Sequence, residues 1–156
     1  SGRYMSELFS MAVAELLNES EKVFDFTSID MSNIILDESI SRENVKSIVK
    51  DRTNVELETK DCERLQNVAS KIVERSARLV TSTFVGILWQ LAGDEDIKRQ
   101  HIAIDGSVYE KMPLTKDNIN IALKELLGDD SKLVDTVLDN GGSGLGAAIA
   151  AAMSQD

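Results

Sequence analysis

The sequence predicts a helix-rich α/β fold with one long helix and a small, incomplete sheet. Three observations lead to this prediction. Apolar residues recur at steps of three and four from about residue 60 to residue 92, which is typical of one long helix with an apolar face. Two short apolar runs, 101–105 and 133–138, have the length and composition of strands. Helical segments alternate with these runs, the order expected of an α/β domain.

The elements before the long helix are predicted to be helical with one irregular stretch. Apolar residues at helical spacing indicate a helix over 4–17. Residues 18–40 mix polar and apolar side chains without a clear period, which indicates loop and short helical turns. Ser41 is a candidate N-cap for a helix over 42–51.

The long helix is expected to be capped at its start by Thr59 or Asp61 and to end at Gly93. Its last three turns carry no charge, so burial on more than one side is expected there. Residues 108–110 are a candidate hairpin partner for the first strand. The helices predicted after this point cover 116–127 and 147–153.

Length, charge and cysteine content exclude several classes of protein. At 156 residues, residues 1–156 are expected to form one domain or part of one. A net charge of −10 argues against nucleic acid and anionic membranes as partners, because both select basic patches. Cys62 is the single cysteine, which fits a reducing compartment and predicts a cytoplasmic location. No apolar run approaches the roughly 20 residues of a membrane span, and no signal peptide is evident.

The first motif is a polar turn after the first predicted strand, in His101-Ile-Ala-Ile-Asp-Gly-Ser-Val-Tyr109. Glycine lets backbone N–H groups approach a ligand without a Cβ in the way. Asp105, Gly106 and Ser107 are therefore candidates for phosphate contact, with the serine hydroxyl as a further donor. A tight hairpin turn, for which Asp-Gly is a common pair, is the structural alternative, and the two interpretations are compatible.

The second motif joins the second predicted strand to an alanine-rich helix, in Asp139-Asn-Gly-Gly-Ser-Gly-Leu-Gly-Ala-Ala148. Three interpretations are considered, an adenosine cradle, a dinucleotide-binding fingerprint and a plain loop, and the fingerprint fails. The fingerprint needs a following strand and an acidic residue about 20 positions further on, which the sequence does not reach. A Walker A loop is excluded because no Gly-Lys-Ser/Thr follows the glycines. The candidates for nucleotide binding here are Gly141, Gly142, Ser143 and Gly144.

These motifs resemble those of a known family. Ile-Asp-Gly-Ser-Val-Tyr is similar to the second phosphate motif of eukaryotic-type hexokinases, and Asn-Gly-Gly-Ser-Gly-Leu-Gly-Ala-Ala-Ile to their adenosine motif. Asn140 departs from the aspartate usual there, so Asp139 is the candidate for a displaced aspartate. The resemblance implies a partial ribonuclease H-like (actin-like ATPase) fold, the C-terminal part of a hexokinase large domain. Two further segments, in the family's order, resemble its helices: Ser1-Gly-Arg-Tyr-Met-Ser-Glu7 and Glu74-Arg-Ser-Ala-Arg-Leu79.

By the same resemblance, the parent enzyme transfers phosphate from ATP to the 6-hydroxyl of glucose or a related hexose, the first step of glycolysis. ATP, with Mg²⁺ held through it, is the implied cofactor: residues 105–107 meet its phosphates and 141–144 its adenosine. The family's Asn-Asp-Thr and Gly-Gly-Thr motifs do not occur here. The segment is therefore expected to be inactive alone, with the hexose bound mainly by missing segments.

The alternative is a non-catalytic interaction module that retains the fold. In either case the predicted sheet is incomplete. An open sheet edge and uncovered apolar surface favour association with other chains, so self-association is expected.

Overall fold

Helices make up most of the structure, and two strands form its sheet, as the sequence predicts. The structure is a computed structural model that describes residues 2–139 and 141–153. The elements in chain order are α1 (Gly2–Leu16), α2 (Ser28–Ile35), α3 (Glu43–Thr53), α4 (Thr59–Ala92), β1 (Gln100–Ile104), α5 (Ser107–Lys111), α6 (Thr115–Leu127), a 3₁₀ helix (Gly128–Leu133), β2 (Val134–Leu138) and α7 (Gly142–Met153).

The long helix α4 is confirmed, and α1, α2, α3 and α6 pack against it. Its 34 residues span roughly 51 Å at about 1.5 Å per residue. It ends at Gly93, whose φ of 61° is left-handed, as predicted. One face is buried along its whole length, through Cys62, Leu65, Ala69, Val73, Ala77, Thr81, Val85 and Leu88.

Two expectations for α4 are wrong. Its N-cap is Glu58, without a side-chain cap bond, whereas the Thr59 hydroxyl instead accepts from Lys46 Nζ at 2.9 Å. Its uncharged last turns are buried on one side only, because α6 and the sheet cover a single face. Trp89 and Leu91 are more than half exposed.

The core has two clusters of buried side chains. In the first, α1, α2 and α3 pack on the first half of α4, and the rings of Phe9 and Phe26 meet edge to face with centroids 5.2 Å apart. In the second, the later half of α4 packs with α6, α5 and the strands around Tyr109 and Ile119. Since α4 contributes to both clusters, it holds the two parts of the fold together.

The strands run parallel and pair in register from Gln100 opposite Val134 to Ile104 opposite Leu138. The chain between them forms a crossover through α5 and α6, as parallel strands require. Residues 108–110 are therefore not a hairpin strand but part of α5. The reason is burial, because in the helix the ring of Tyr109 enters the second core cluster.

The irregular N-terminal stretch contains one ordered helix, α2, which begins with a capping box. The Thr27 hydroxyl accepts from the backbone of Asp30, and the Asp30 carboxylate accepts from the backbone of Thr27.

The N-cap of α3 is Arg42, with a left-handed φ of 56°, rather than Ser41. The carboxylate of buried Asp37 accepts from Val45 N–H in the first turn of α3, so a side chain from outside the helix replaces the predicted serine cap.

The last helix begins five residues earlier than predicted, at Gly142. Its described side chains are all exposed or intermediate, and none of them belongs to a core cluster. Among the described residues, no helix combines the length and apolar character that crossing a membrane requires.

Candidate functional site

The two predicted binding turns leave the sheet at the same edge. Ile104 and Leu138 stand opposite one another at the carboxyl ends of β1 and β2, and the backbone N–H of Asp139 donates to the carbonyl of Ile104 over 3.0 Å. Residues 105–107 and 141–144 therefore begin side by side. The carboxyl edge is where open parallel sheets bind their ligands.

Gly106 shapes the first turn. Its φ of 126° and ψ of 149° fall in a region that is essentially reserved for glycine, and a Cβ built on it would meet no atom within 4 Å. Asp105, Gly106 and Ser107 are all exposed. The turn therefore offers an open stretch of backbone beside a serine hydroxyl, at the start of α5 rather than in the predicted hairpin.

The second turn is shorter than the sequence suggests. Gly141 takes a φ of 94°, and α7 begins directly after it, so Gly142 and Gly144 are helical residues rather than loop residues. The Asp139 carboxylate occupies the space that a Cβ on Gly142 would need, so a larger residue at position 142 would displace that carboxylate. Ser143 belongs to α7, but its side chain, like Asn140 as a whole, lies outside the described residues.

A groove between α2 and α5 continues from the first turn. Its volume is about 300 Å³, and its polar lining comes from Ser28, Ser32, Ser107 and Lys111. Its other lining residues are apolar, among them Val108. Apolar walls with a few placed hydroxyls are typical of small-molecule sites, and this groove shares Ser107 with the turn.

Three helices approach one another closely beside the groove. A Cβ on Gly2 would lie 3.3 Å from Cγ2 of Val108 and 3.4 Å from Cβ of Ser28, so α1, α2 and α5 meet where only glycine fits without displacement. The sequence motifs include Gly2 within the segment Ser1–Glu7 but did not indicate Ser28 or Ser32. The Thr27-x-x-Asp30 capping box could have predicted the helix that carries Ser28 and Ser32, because it marks a helix start. In a helix these two serines, four residues apart, lie on one face.

The charges around this edge are mainly acidic. Asp105 and Asp139 follow the two strands, and Lys111 is the cation in the groove lining, with its Nζ 3.9 Å from the Glu110 carboxylate. Among the residues described, no cluster of histidine, cysteine and carboxylate side chains would hold a metal ion.

His101 pairs with a carboxylate on the neighbouring strand. Its Nδ1 lies 2.9 Å from Oδ2 of Asp135, the residue directly opposite on β2. Both side chains are largely exposed. The pair therefore links β1 to β2 at the surface of the sheet and lies away from the two turns.

Comparison with known proteins identifies the family. The family model described as Hexokinase matches residues 1–153. The chain belongs to the hexokinase family. Hexokinase-5 of Oryza sativa subsp. japonica is 30% identical over 171 residues, which cover 97% of this chain and 34% of that protein. Hexokinase-1 of Mus musculus is 30% identical over 168 residues, which cover 99% of this chain and 17% of that protein.

The fold agrees with this family. A solved structure titled "Crystal structure of Hexokinase" superposes with a TM-score of 0.71 at 22% identity, over 90% of this chain and 33% of the other. The helix-rich fold with a small parallel sheet is thus a hexokinase fold. The chain spans about a third of the length of that hexokinase and of the rice relative.

Proposed function

We propose that this chain forms the nucleotide-binding side of an ATP-dependent hexokinase, which phosphorylates glucose or a related hexose at its 6-hydroxyl. The observation that carries the proposal is the placement of two glycine-containing turns side by side at one sheet edge, in a chain of the hexokinase family. The groove of about 300 Å³ that shares Ser107 with the first turn supports it, because it offers room for part of a nucleotide next to that turn.

Each part of the site has a separate role in this proposal. The open backbone at Gly106 and the hydroxyl of Ser107 receive the phosphates. The hydroxyls of Ser28 and Ser32 line the groove beside that turn, and residues 141–144, which follow the paired end of β2, are assigned to the adenosine. Hydrogen-bond donors that are held in place before the ligand arrives stabilise charge without reorganisation, so this chain contributes by positioning.

Bound ATP with Mg²⁺ supplies the phosphoryl group and a counter-charge for its phosphates. The residues present fit that cofactor, since a Cβ at Gly106 would meet open space and the backbone is accessible. The acidic groups of Asp105 and Asp139 disfavour a bare triphosphate, which makes the accompanying cation necessary. Lys111 is placed to offset part of the remaining negative charge.

The hexose-binding site and the general base are assigned to parts of the parent enzyme other than this chain, because the sequence contains neither Asn-Asp-Thr nor Gly-Gly-Thr.

The proposed parent catalyses the first step of glycolysis and is cytoplasmic. The single cysteine, Cys62, is buried and free, which agrees with a reducing compartment.

A binding measurement tests the nucleotide site directly. Calorimetric titration of the chain with MgATP is expected to show binding that Ser107→Ala weakens by at least about tenfold, since a hydrogen bond to a charged group contributes about 1.5–3 kcal/mol. Ser47→Ala is the matched control, because Ser47 is exposed on α3, outside the groove lining. Absence of binding, or equal affinity for both variants, contradicts the proposed site.

A second candidate function is a non-catalytic interaction module with the same fold. It is favoured by the exposed apolar side chains of α4 and α7. The sequence encoded upstream of Ser1 discriminates the two. An open frame with the Gly-Gly-Thr and Asn-Asp-Thr motifs supports the kinase, whereas a start codon at this point supports the module.

A further inference from the structure

The start of α2 is tied to the end of α3 by the same carboxylate that caps α2. Oδ2 of Asp30 accepts from the backbone N–H of Thr27 at 2.8 Å and from the Thr27 hydroxyl at 2.9 Å. The same oxygen accepts from Arg52, whose Nε and Nη2 lie 3.1 Å and 2.8 Å away. The Asp30 side chain is 14% exposed, so this pair is less open to water than a typical surface ion pair.

The start of α2 also carries the groove hydroxyls. Ser28 directly follows the N-cap Thr27, and Ser32 lies about one turn further along the same face. Both serines line the groove that they share with Ser107. A change in the position of the start of α2 therefore moves both hydroxyls relative to Ser107.

The other end of α2 is held separately. The side-chain amide of Gln66 donates to the carbonyls of Ile34 and Ile35 at 3.0 Å and 3.2 Å, and Met31 and Ile34 are buried in the first core cluster. These contacts fix the middle and the end of α2. Loss of the Arg52 side chain would therefore leave the helix in place and loosen its start.

We propose that Arg52 is a positioning residue for nucleotide binding. By holding Asp30 it keeps the hydroxyls of Ser28 and Ser32 in a fixed position relative to residues 105–107. Arg52 is outside the groove lining, so it acts through α2 and not by contact. This inference rests on the proposed function, because it needs a nucleotide beside these hydroxyls. Donors that are held in place before the ligand arrives bind it without a cost of ordering, so loss of this hold lowers affinity more than stability.

Calorimetric titration with MgATP tests this role. Arg52→Ala is expected to weaken binding about fivefold, a coupling within the range found for residues of one hydrogen-bonded network. Arg52→Lys, which keeps a charged donor for Asp30, is expected to retain most of the affinity. Unchanged affinity in Arg52→Ala overturns the proposal.

Arg64→Ala is the matched control for charge. It removes the same charge and one ion pair, that of Arg64 with Asp61, from a part of α4 outside the groove lining. It is expected to leave the affinity for MgATP unchanged. Equal weakening by Arg64→Ala and Arg52→Ala would show an effect of net charge and would overturn the positioning role.

A double-mutant cycle separates positioning from a general loss of structure. In a Ser28→Ala background, Arg52→Ala is expected to weaken binding by only about twofold, because one of the two hydroxyls that it positions is already absent. A purely structural effect would be the same in both backgrounds, and that result overturns the route through α2.

Hydrogen exchange of the chain without nucleotide is an independent measurement. The backbone N–H groups of Asp30 and Met31 donate to Thr27 at the start of α2, and they are expected to exchange several-fold faster in Arg52→Ala. The N–H of Leu36, which donates to the Ser32 carbonyl at the other end of α2, is the internal control. Unchanged exchange at Asp30 and Met31 overturns the proposed hold on α2.

The positioning role and the proposed function fail in different ways. Absence of MgATP binding in the unsubstituted chain overturns the nucleotide site and, with it, the effect of Arg52 on affinity. Binding that is equally strong with and without the Arg52 side chain overturns the positioning role alone and leaves the nucleotide site in place.

Discussion

The hydroxyl of Tyr109 donates to Oγ1 of Thr136 over 2.8 Å, a bond that ties α5 to the middle of β2. Tyr109 is buried, and its helix begins directly after the phosphate turn. The bond therefore fixes the position of residues 105–107 relative to the sheet.

Tyr109→Phe is expected to lower the free energy of unfolding by about 1 kcal/mol, the typical net contribution of one intramolecular hydrogen bond, and to weaken MgATP binding. Urea denaturation and calorimetric titration measure the two effects. Tyr4→Phe is the matched control, because Tyr4 is 67% exposed. Equal stability of both variants would show that the hydroxyl does not hold α5 in place.

Gly106→Ala is expected to destabilise the chain by about 1–3 kcal/mol, because its backbone conformation is one that only glycine adopts without strain. The cause is conformation and not collision, since a Cβ there meets no atom within 4 Å. Gly144→Ala has the same open space but lies inside α7, so it should stabilise by about 0.5–1 kcal/mol. Denaturant midpoints that shift in the same direction for both would contradict this account of the turn.

Asp37 makes stability depend on pH. Burial raises its pKa, but hydrogen bonds from the Ser39 hydroxyl and from the backbone of Val45 and Ser39, together with the charge of Arg42, bring the pKa below the ordinary 3.8. A group with a lowered folded pKa stabilises the fold above its unfolded pKa and loses this contribution as pH falls through the folded pKa. Asp37→Asn is therefore expected to cost about 2 kcal/mol at pH 7 and progressively less below pH 3.8.

Denaturation curves of Asp37→Asn and of the control Glu38→Gln between pH 7 and pH 2 measure this effect. Glu38 is the exposed neighbour and should show little change. A cost for Asp37→Asn that is the same at every pH would rule out the carboxylate charge as its source.

The chain alone is expected to show no phosphorylation of glucose above background in a coupled assay. The physical reason is the lack of a carboxylate in the Asn-Asp-Thr context to accept the proton of the attacking hydroxyl. Addition of MgATP should still produce a binding signal in the same preparation. Turnover comparable to that of ordinary kinases would require a catalytic base within these 156 residues. It would overturn the proposal that the general base lies in other parts of the parent enzyme.

Self-association of the chain is predicted, and α7 is the element expected to drive it. Leu145, Ile149 and Met153 lie four residues apart along one side of this helix and are 66%, 52% and 75% exposed, an arrangement that favours helix pairing. Light scattering across a concentration series should show dimers or larger species. Leu145→Lys should shift them toward the monomer, whereas the control Val23→Lys, at a position almost fully exposed outside α7, should not. A stable monomer of about 17 kDa with a cooperative melt would contradict the prediction.

Periodicity predicted the elements that have many residues on one face. The steps of three and four in α4 placed its first residue within one position, and the apolar runs located both strands. Local sequence patterns predicted the wrong structure where a residue or contact outside the element determined its conformation. Asp37 replaced Ser41 at the start of α3, and burial of Tyr109 turned a possible hairpin strand into helix α5.

The candidate site was predictable in part for the same reason. The glycine motifs indicated residues 105–107 and 141–144, and parallel pairing explains why these turns meet. Ser28 and Ser32 come from a helix some 80 residues earlier in the chain, and no local pattern connects them to Ser107. Only the packing of α2 against α5 places these serines in the same groove.

The parallel crossover has a consequence for folding kinetics. Ile104 and Leu138 are 34 positions apart in the chain, so the entropy of closing that loop must be lost before any strand pair forms. Pairing across such a distance is slow unless the intervening segment is already compact. Packing of α4 against α6 makes the intervening segment compact. The strands are expected to pair only after this packing has formed, so the sheet end that carries both glycine turns should form late and as a single cooperative unit.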